Sequence, residues 1–230
     1  MRRLGPLLVL LGIFACAAGK PPQDATRDDT GPVAYTMVEN QKSGVEMPRI
    51  SLPERPDVEQ RVNEQLDAHA ASLMCLDPEP GSYNASADVT HAADDVFSVH
   101  VGVSYYCGGA YPVNHADSSI TFDLRIGEAV RFQALFADYE RDGAEIARAY
   151  IGSLSAEDLE GCEDVLTVEE LDEHFFAYTI STEGLRVEPS FPHVLEVCNR
   201  DSIVPFDELR AFAAPGGILT RVADAAPEGS

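Results

Sequence analysis

Between Val96 and Tyr106 apolar and polar positions alternate: Phe97, Val99, Val101, Val103 and Tyr105 are interleaved with Ser98, His100, Gly102, Ser104 and Tyr106. A period of two predicts a strand with one buried face. Ser118, Ile120, Phe122, Leu124 and Ile126 repeat the pattern. Matching the two apolar faces fixes the parity of an antiparallel pairing. A register that sets Val103 opposite Ile120 and Val101 opposite Phe122 would put His100 opposite Asp123, as a polar pair on the solvent face. At Gly127 a three-residue bulged loop, pairing Ile126 with Val130 and Leu124 with Phe132, keeps the faces matched where a two-residue turn would mix them.

Elsewhere the period changes. Val58, Val62, Leu66, His69 or Ala70, and Leu73 recur at helical spacing after Pro56, a residue favoured in a first helical turn, and Cys75 would close that helix. Tyr35 to Glu39 and Val45 to Leu52 read as strands before it. Gly143 to Leu154 carries Ile146, Ala147, Tyr150 and Ile151 on one helical face, and Thr167 with Glu170 has capping-box spacing. A hairpin turns at Glu183-Gly184 between Phe176-Tyr178-Ile180 and Leu185-Val187. A strand near Val194 to Val197, an extended Ile203 to Phe206 and a short helix with Leu209 and Phe212 end the domain. The expectation is a single α+β domain, a twisted antiparallel β-sheet with helices packed on it.

The first residues add a location. Arg2 and Arg3, an apolar run from Leu4 to Phe14 and small residues around Cys16 have the form of a secretory signal, and the run is too short to span a bilayer. Ile13-Phe14-Ala15-Cys16 resembles the bacterial lipobox, which implies cleavage before Cys16 and a lipid on its thiol. Ordinary cleavage after Ala15-Cys16-Ala17 is the alternative. Ala17 in place of an aspartate implies sorting to the outer membrane. Residues 1–15 are then the leader, 16–32 a flexible tether rich in proline and aspartate, 33–221 the domain and 222–230 a disordered tail.

The remaining cysteines are an even set, Cys75, Cys107, Cys162 and Cys198. In an oxidising compartment they favour two disulfides. Of three connectivities, Cys75 with Cys107 and Cys162 with Cys198 would each fasten a helix end or loop to a strand in the same half of the domain. A zinc site is the competing reading, but no Cys-x-x-Cys occurs. The net charge is −23 and argues against nucleic acid as a ligand. A cationic partner fits it, as does a surface that is acidic only for solubility.

Tyr105-Tyr106-Cys107-Gly108-Gly109-Ala110-Tyr111-Pro112, the strand Ser118 to Leu124, Gly127 and Phe132-Gln133-Ala134-Leu135-Phe136 together resemble the extracytoplasmic domain shared by RsiV-type anti-sigma factors and PdaC-type peptidoglycan deacetylases. Thr182-Glu183-Gly184-Leu185 and Val204-Pro205-Phe206-Asp207-Glu208-Leu209 resemble its later segments, and Pro48-Arg49-Ile50 with Asn63 its opening. Ala134 stands where that module usually has aspartate, and Tyr111 where histidine is common. The resemblance implies binding. In the RsiV branch the module recognises lysozyme, a very basic protein; in deacetylases it accompanies a separate catalytic domain. Neither a deacetylase domain nor a sigma-binding segment is found here. The contact surface it points to is the Cys107 to His115 loop, with Tyr106, Gly108, Gly109, Tyr111, Pro112 and His115.

Catalytic patterns are absent from the sequence. No Gly-x-Ser-x-Gly, His-Glu-x-x-His or phosphate-binding loop occurs. Asp88, His91, Asp94 and Asp95 form the best local ligand set, more simply read as a polar hairpin turn. Thr121-Phe122-Asp123 has a superficial likeness to a deacetylase motif but lies inside an alternating strand. The reading is therefore a lipid-anchored envelope module, on the bacterial outer membrane, that binds a cationic protein such as lysozyme or a cell-wall glycan, with no catalytic residues, metal or cofactor. The alternatives are a structural accessory lipoprotein and a cell-wall hydrolase or deacetylase. The latter would need a cleft bringing His100, His115 or His193 to a carboxylate.

Overall fold

A computed structural model describes residues 33–41, 43–72, 83–93, 95–105, 114–171 and 175–226. Strands β1 (Ala34–Glu39) and β2 (Glu46–Ser51) form an antiparallel hairpin. Helix α1 (Pro56–Ser72) follows and buries Val58, Val62, Leu66 and Ala70, the stripe its spacing predicts. Asn63 ties helix to hairpin, accepting from the Ile50 amide at 3.0 Å and donating to the Ile50 carbonyl at 3.1 Å. Its side chain thereby acts as a further strand partner for β2.

The central sheet comprises β3 (Tyr83–Ala93), β4 (Val96–Tyr105), β5 (Asn114–Asp123) and the two-residue β6 (Glu128–Ala129), in that order and antiparallel throughout. Strand β3 was not foreseen. Its apolar positions, Ala85, Ala87 and Val89, are small, and its polar ones resemble a turn. The β4–β5 register also departs from expectation: Val99 faces Ile120 and Phe97 faces Phe122, so His100 lies opposite Ser119, not Asp123. The parity is as read, but the pairing is displaced by four residues. Strand β5 begins at Asn114, in a polar run with no alternation to mark it.

The β5–β6 turn differs too. Asp123 pairs with Glu128, leaving a four-residue loop, Leu124 to Gly127, in place of the three-residue one. The Gly127 amide donates to the Asp123 carbonyl at 2.8 Å. Gly127 adopts a φ of 70°, and a Cβ there would press on Val58 Cγ1 at 3.3 Å. Glycine serves both the left-handed backbone and the close approach of α1.

In the second half, a 3-10 turn at Phe132–Leu135 leads into α2 (Tyr139–Ser153), whose first turn is capped by Asp138 accepting from the Arg141 amide. Two four-residue helices follow, α3 (Ala156–Leu159) and α4 (Val168–Leu171). In α4 the Thr167 hydroxyl accepts from the Glu170 amide at 3.3 Å. Strands β7 (Phe175–Ile180), β8 (Gly184–Pro189) and β9 (Ser202–Pro205) make a second antiparallel sheet, with β9 at its edge. At Gly184 a Cβ would lie 2.3 Å from the Val204 carbonyl oxygen, so only glycine lets β9 approach β8 there.

Residues His193–Cys198 form a 3-10 helix, correcting the strand expected at Val194 to Val197. Val194 and Val197 are three apart, matching the 3-10 repeat and not the strand repeat, and both are largely exposed. Helices α5 (Phe206–Leu209) and α6 (Ile218–Ala225) end the body. Val222 and Ala223 are buried in α6, so packed structure continues past residue 221 into the stretch expected to be tail.

Two apolar cores result. One joins α1, β1 and β2 to Phe97, Val99, Val101 and Phe122 on one face of the central sheet. The other gathers Phe132, Ile146, Tyr150, Leu185, Leu209 and Leu219 around the second sheet. Cys162 and Cys198 are disulfide-bonded within this second core, with Cα atoms 5.7 Å apart across 36 residues of chain. Among the described residues no helix is long and apolar enough to cross a membrane.

Candidate functional site

The second face of the central sheet, read from sequence as solvated, is covered by β7 and β8 at one end. Ser98 and Thr121 share a hydroxyl hydrogen bond of 2.7 Å there, and the Ile180 amide donates to Ser98 Oγ at 3.0 Å. Farther along β4, His100 Nε2 lies 3.1 Å from Glu188 Oε1, and both side chains are nearly buried. Arg186 meets the same carboxylate oxygen at 3.0 Å and reaches Asp201 at 2.9 Å. Sequence reasoning missed this group. Only the register of two sheets, not any local motif, brings residue 100 to residue 188.

A histidine beside a carboxylate is the arrangement that hydrolase chemistry would need, and its surroundings decide its character. Arg186 already neutralises Glu188. Ser119, the residue across from His100, has a buried hydroxyl with no hydrogen-bond partner among the described residues. The group is built as an ionic seam between two sheets.

Asp123 closes the other end of the same face. Burial favours its neutral acid, but hydrogen bonds from the Arg125 side chain and amide, with the charges of Arg221 and Arg125, outweigh it and hold the carboxyl below its ordinary range. Arg125 Nη2 lies 2.6 Å from Oδ2 and Arg221 Nη2 lies 3.2 Å from Oδ1. Both guanidinium groups also donate to the Gly216 carbonyl at 3.2 Å. The motif-like Asp123 is thus the anchor for α6.

The sequence-predicted site residues fare unevenly. Cys16, Cys75, Tyr106, Cys107, Gly108, Gly109, Tyr111 and Pro112 lie outside the described residues. His115 pairs with Ser104 in the β4–β5 ladder, one pair before the last, Tyr105 with Asn114, at the end where the chain passes from β4 to β5. Asp88 and His91 lie in β3 and not in a turn, separated by a bulge, while Asp95 pairs with Arg55 at 2.8 Å. Among the described residues no group of three metal-ligating side chains converges. His69, beside the apolar stripe of α1, meets Ser118 Oγ at 3.0 Å, and burial pushes its imidazole below the ordinary histidine value.

Toward the end of the β4–β5 hairpin at which the chain passes from β4 to β5, β3 presents Asn84, Ser86 and Asp88 to solvent. This polar, partly acidic flank leads from the ionic seam toward the segment that joins β4 to β5. A separate open cleft of about 590 Å³ lies among α2, β9 and α5. Its apolar lining includes Ala149, Ile203, Pro205 and Phe212, and its charged lining is Glu145, Arg148 and Glu208.

No protein-family model matches the chain, and no curated protein matches it. A solved DUF3298 family protein from Pseudomonas aeruginosa PAO1 matches 82% of this chain and 96% of its own, at 17% identity and a TM-score of 0.49. A member of the same family from Bacteroides fragilis NCTC 9343 matches 85% of this chain and 99% of its own, at 10% identity and a TM-score of 0.56. The second likeness is one of fold.

Proposed function

We propose that the protein is an exported, lipid-anchored module that binds a cationic protein of the cell envelope, of which lysozyme is the type, through the Cys107 to His115 segment. The observation that carries this reading is the β4–β5 hairpin. Its ten-residue strands are gripped on one face by the α1 core and on the other by β7 and β8, and they pair out to Tyr105 and Asn114. Recognition residues are commonly carried on segments that a rigid scaffold positions. The net charge of −23 and the acidic flank at Asp88 favour a basic partner. The disulfide fits an oxidising compartment. Acyl chains on Cys16, at about 0.8 kcal/mol per buried methylene, would supply the outer-membrane anchor.

Titration calorimetry of the full-length, detergent-extracted protein against lysozyme tests the reading. Binding should weaken steeply with salt and fall at least tenfold in Tyr106→Ala and Tyr111→Ala. Absence of binding, or binding indifferent to both variants, overturns it in favour of a cell-wall glycan ligand or a purely structural accessory lipoprotein. Intact mass measurement tests the anchor, which requires a mature chain beginning at an acylated Cys16.

A further inference from the structure

We infer that the cleft between α2, β9 and α5 is a second binding site, made for a basic peptide segment whose lysine or arginine stem lies on Phe212 with its charged head at Glu208. The cleft is built wholly from the second half of the chain, so it owes nothing to the β4–β5 hairpin and goes beyond the function proposed above. Three observations carry it.

The first is shape and lining. A concavity of about 590 Å³ is within the range of sites for small ligands or short peptide stretches. Ile203 and Pro205 are exposed within it, while Ala149 and Phe212 are half-buried. Exposed apolar groups recessed in a concavity gain most from being covered.

The second is charge. Glu145 is ion-paired to Arg148, whereas Glu208 is exposed and has no ion pair among the described residues. Among the described residues the cleft therefore carries one uncompensated negative charge, on a protein whose net charge is −23. Glu208 and Phe212 lie four residues apart along one turn and line the same cleft. A carboxylate beside an aromatic ring suits a cation on an apolar stem, because the ring covers the methylenes and attracts the charge while the carboxylate pairs with the head.

The third is Gly152. This residue lies in the last turn of α2, lines the cleft, and has nothing within 4 Å of where a Cβ would stand. Alanine would favour the helix by about 1 kcal/mol over glycine. Its openness therefore keeps room in the cleft at some cost to the helix.

The test uses full-length protein and fluorescein-labelled octapeptides of alternating lysine and valine, or glutamate and valine, read by anisotropy. The lysine peptide should bind and the glutamate peptide should not. Gly152→Trp, which fills the cleft from a position with open space, should weaken binding at least tenfold, and Glu208→Gln about threefold with a reduced salt dependence. Unchanged circular dichroism and urea midpoint confirm that both variants fold. No lysine-peptide binding, equal binding of both peptides, or affinity unchanged in Gly152→Trp overturns the proposal. Tyr111→Ala should leave peptide affinity intact and Gly152→Trp should leave lysozyme affinity intact, so either site can fail alone.

Discussion

The two faces of the central sheet are both covered, the second only at one end, and they are joined to their neighbours by different forces. Against α1 and the β1–β2 hairpin the sheet offers Phe97, Val99, Val101 and Phe122, and cohesion there is the removal of apolar surface from water. Against β7 and β8 it offers Ser98, His100 and Thr121, with Asp123 at the end. Those groups must find partners or cost free energy. The first face tolerates approximate fit in direction but not lost volume. The second tolerates little error in geometry, because each polar group has one place to go.

This contrast can be broken most severely at Phe97. Phe97→Ala removes a fully buried ring that also meets Tyr35 edge-on at 5.8 Å, and should cost about 3–5 kcal/mol in urea unfolding. On the polar face, Asp123→Asn keeps the shape and removes the charge that Arg125 and Arg221 hold. Since Arg125 is half-exposed, the loss should be about 2–3 kcal/mol, under that of a fully buried pair.

Asp123 also gives that face an acid limit. Its carboxyl is held below the ordinary 3.8, so its contribution is present above that pH and is lost as pH falls through the lower folded value. The urea midpoints of wild type and Asp123→Asn should therefore converge in acid. Ser98→Ala strands the Ile180 amide in the interior and should cost about 1–2 kcal/mol.

The smallest effect belongs to His69. Its folded imidazole resists protonation, so the unfolded chain takes up the proton first and stability declines as pH drops below about 6.5. His69→Gln should flatten that decline between pH 7 and 5. An unchanged slope would show that His69 carries none of it.

The sequence made the apolar face legible and hid the polar one. Phe97, Val99 and Val101 announce their burial through alternation, and Val58, Val62 and Leu66 through helical spacing, because local period records which side faces a core. The same alternation made Ser98 and His100 look solvated, since a polar residue says nothing about whether a second sheet will cover it. The register slipped for a related reason: alternation constrains parity, while Asn114 to Asp117 carry no apolar mark of belonging to β5. Strand β3 escaped because Ala85 and Ala87 bury too little surface to stand out. Of the candidate site, the segment after Tyr105 was marked by its glycines and aromatics. The cleft was invisible because Gly152, Ile203 and Phe212 come from three separate elements.

The clasp of Arg125 and Arg221 on Asp123 spans nearly a hundred residues of chain. As a ribosome or translocon delivers the polypeptide from its leading end, β5 emerges long before α6 can reach it. Until Arg221 arrives, the carboxylate has only Arg125 beside it and the Gly216 carbonyl lacks one of its two donors. Maturation of this body should accordingly finish in a late, discrete step, and a nascent chain stalled short of residue 221 should remain conspicuously open to proteases along the β5–β6 margin.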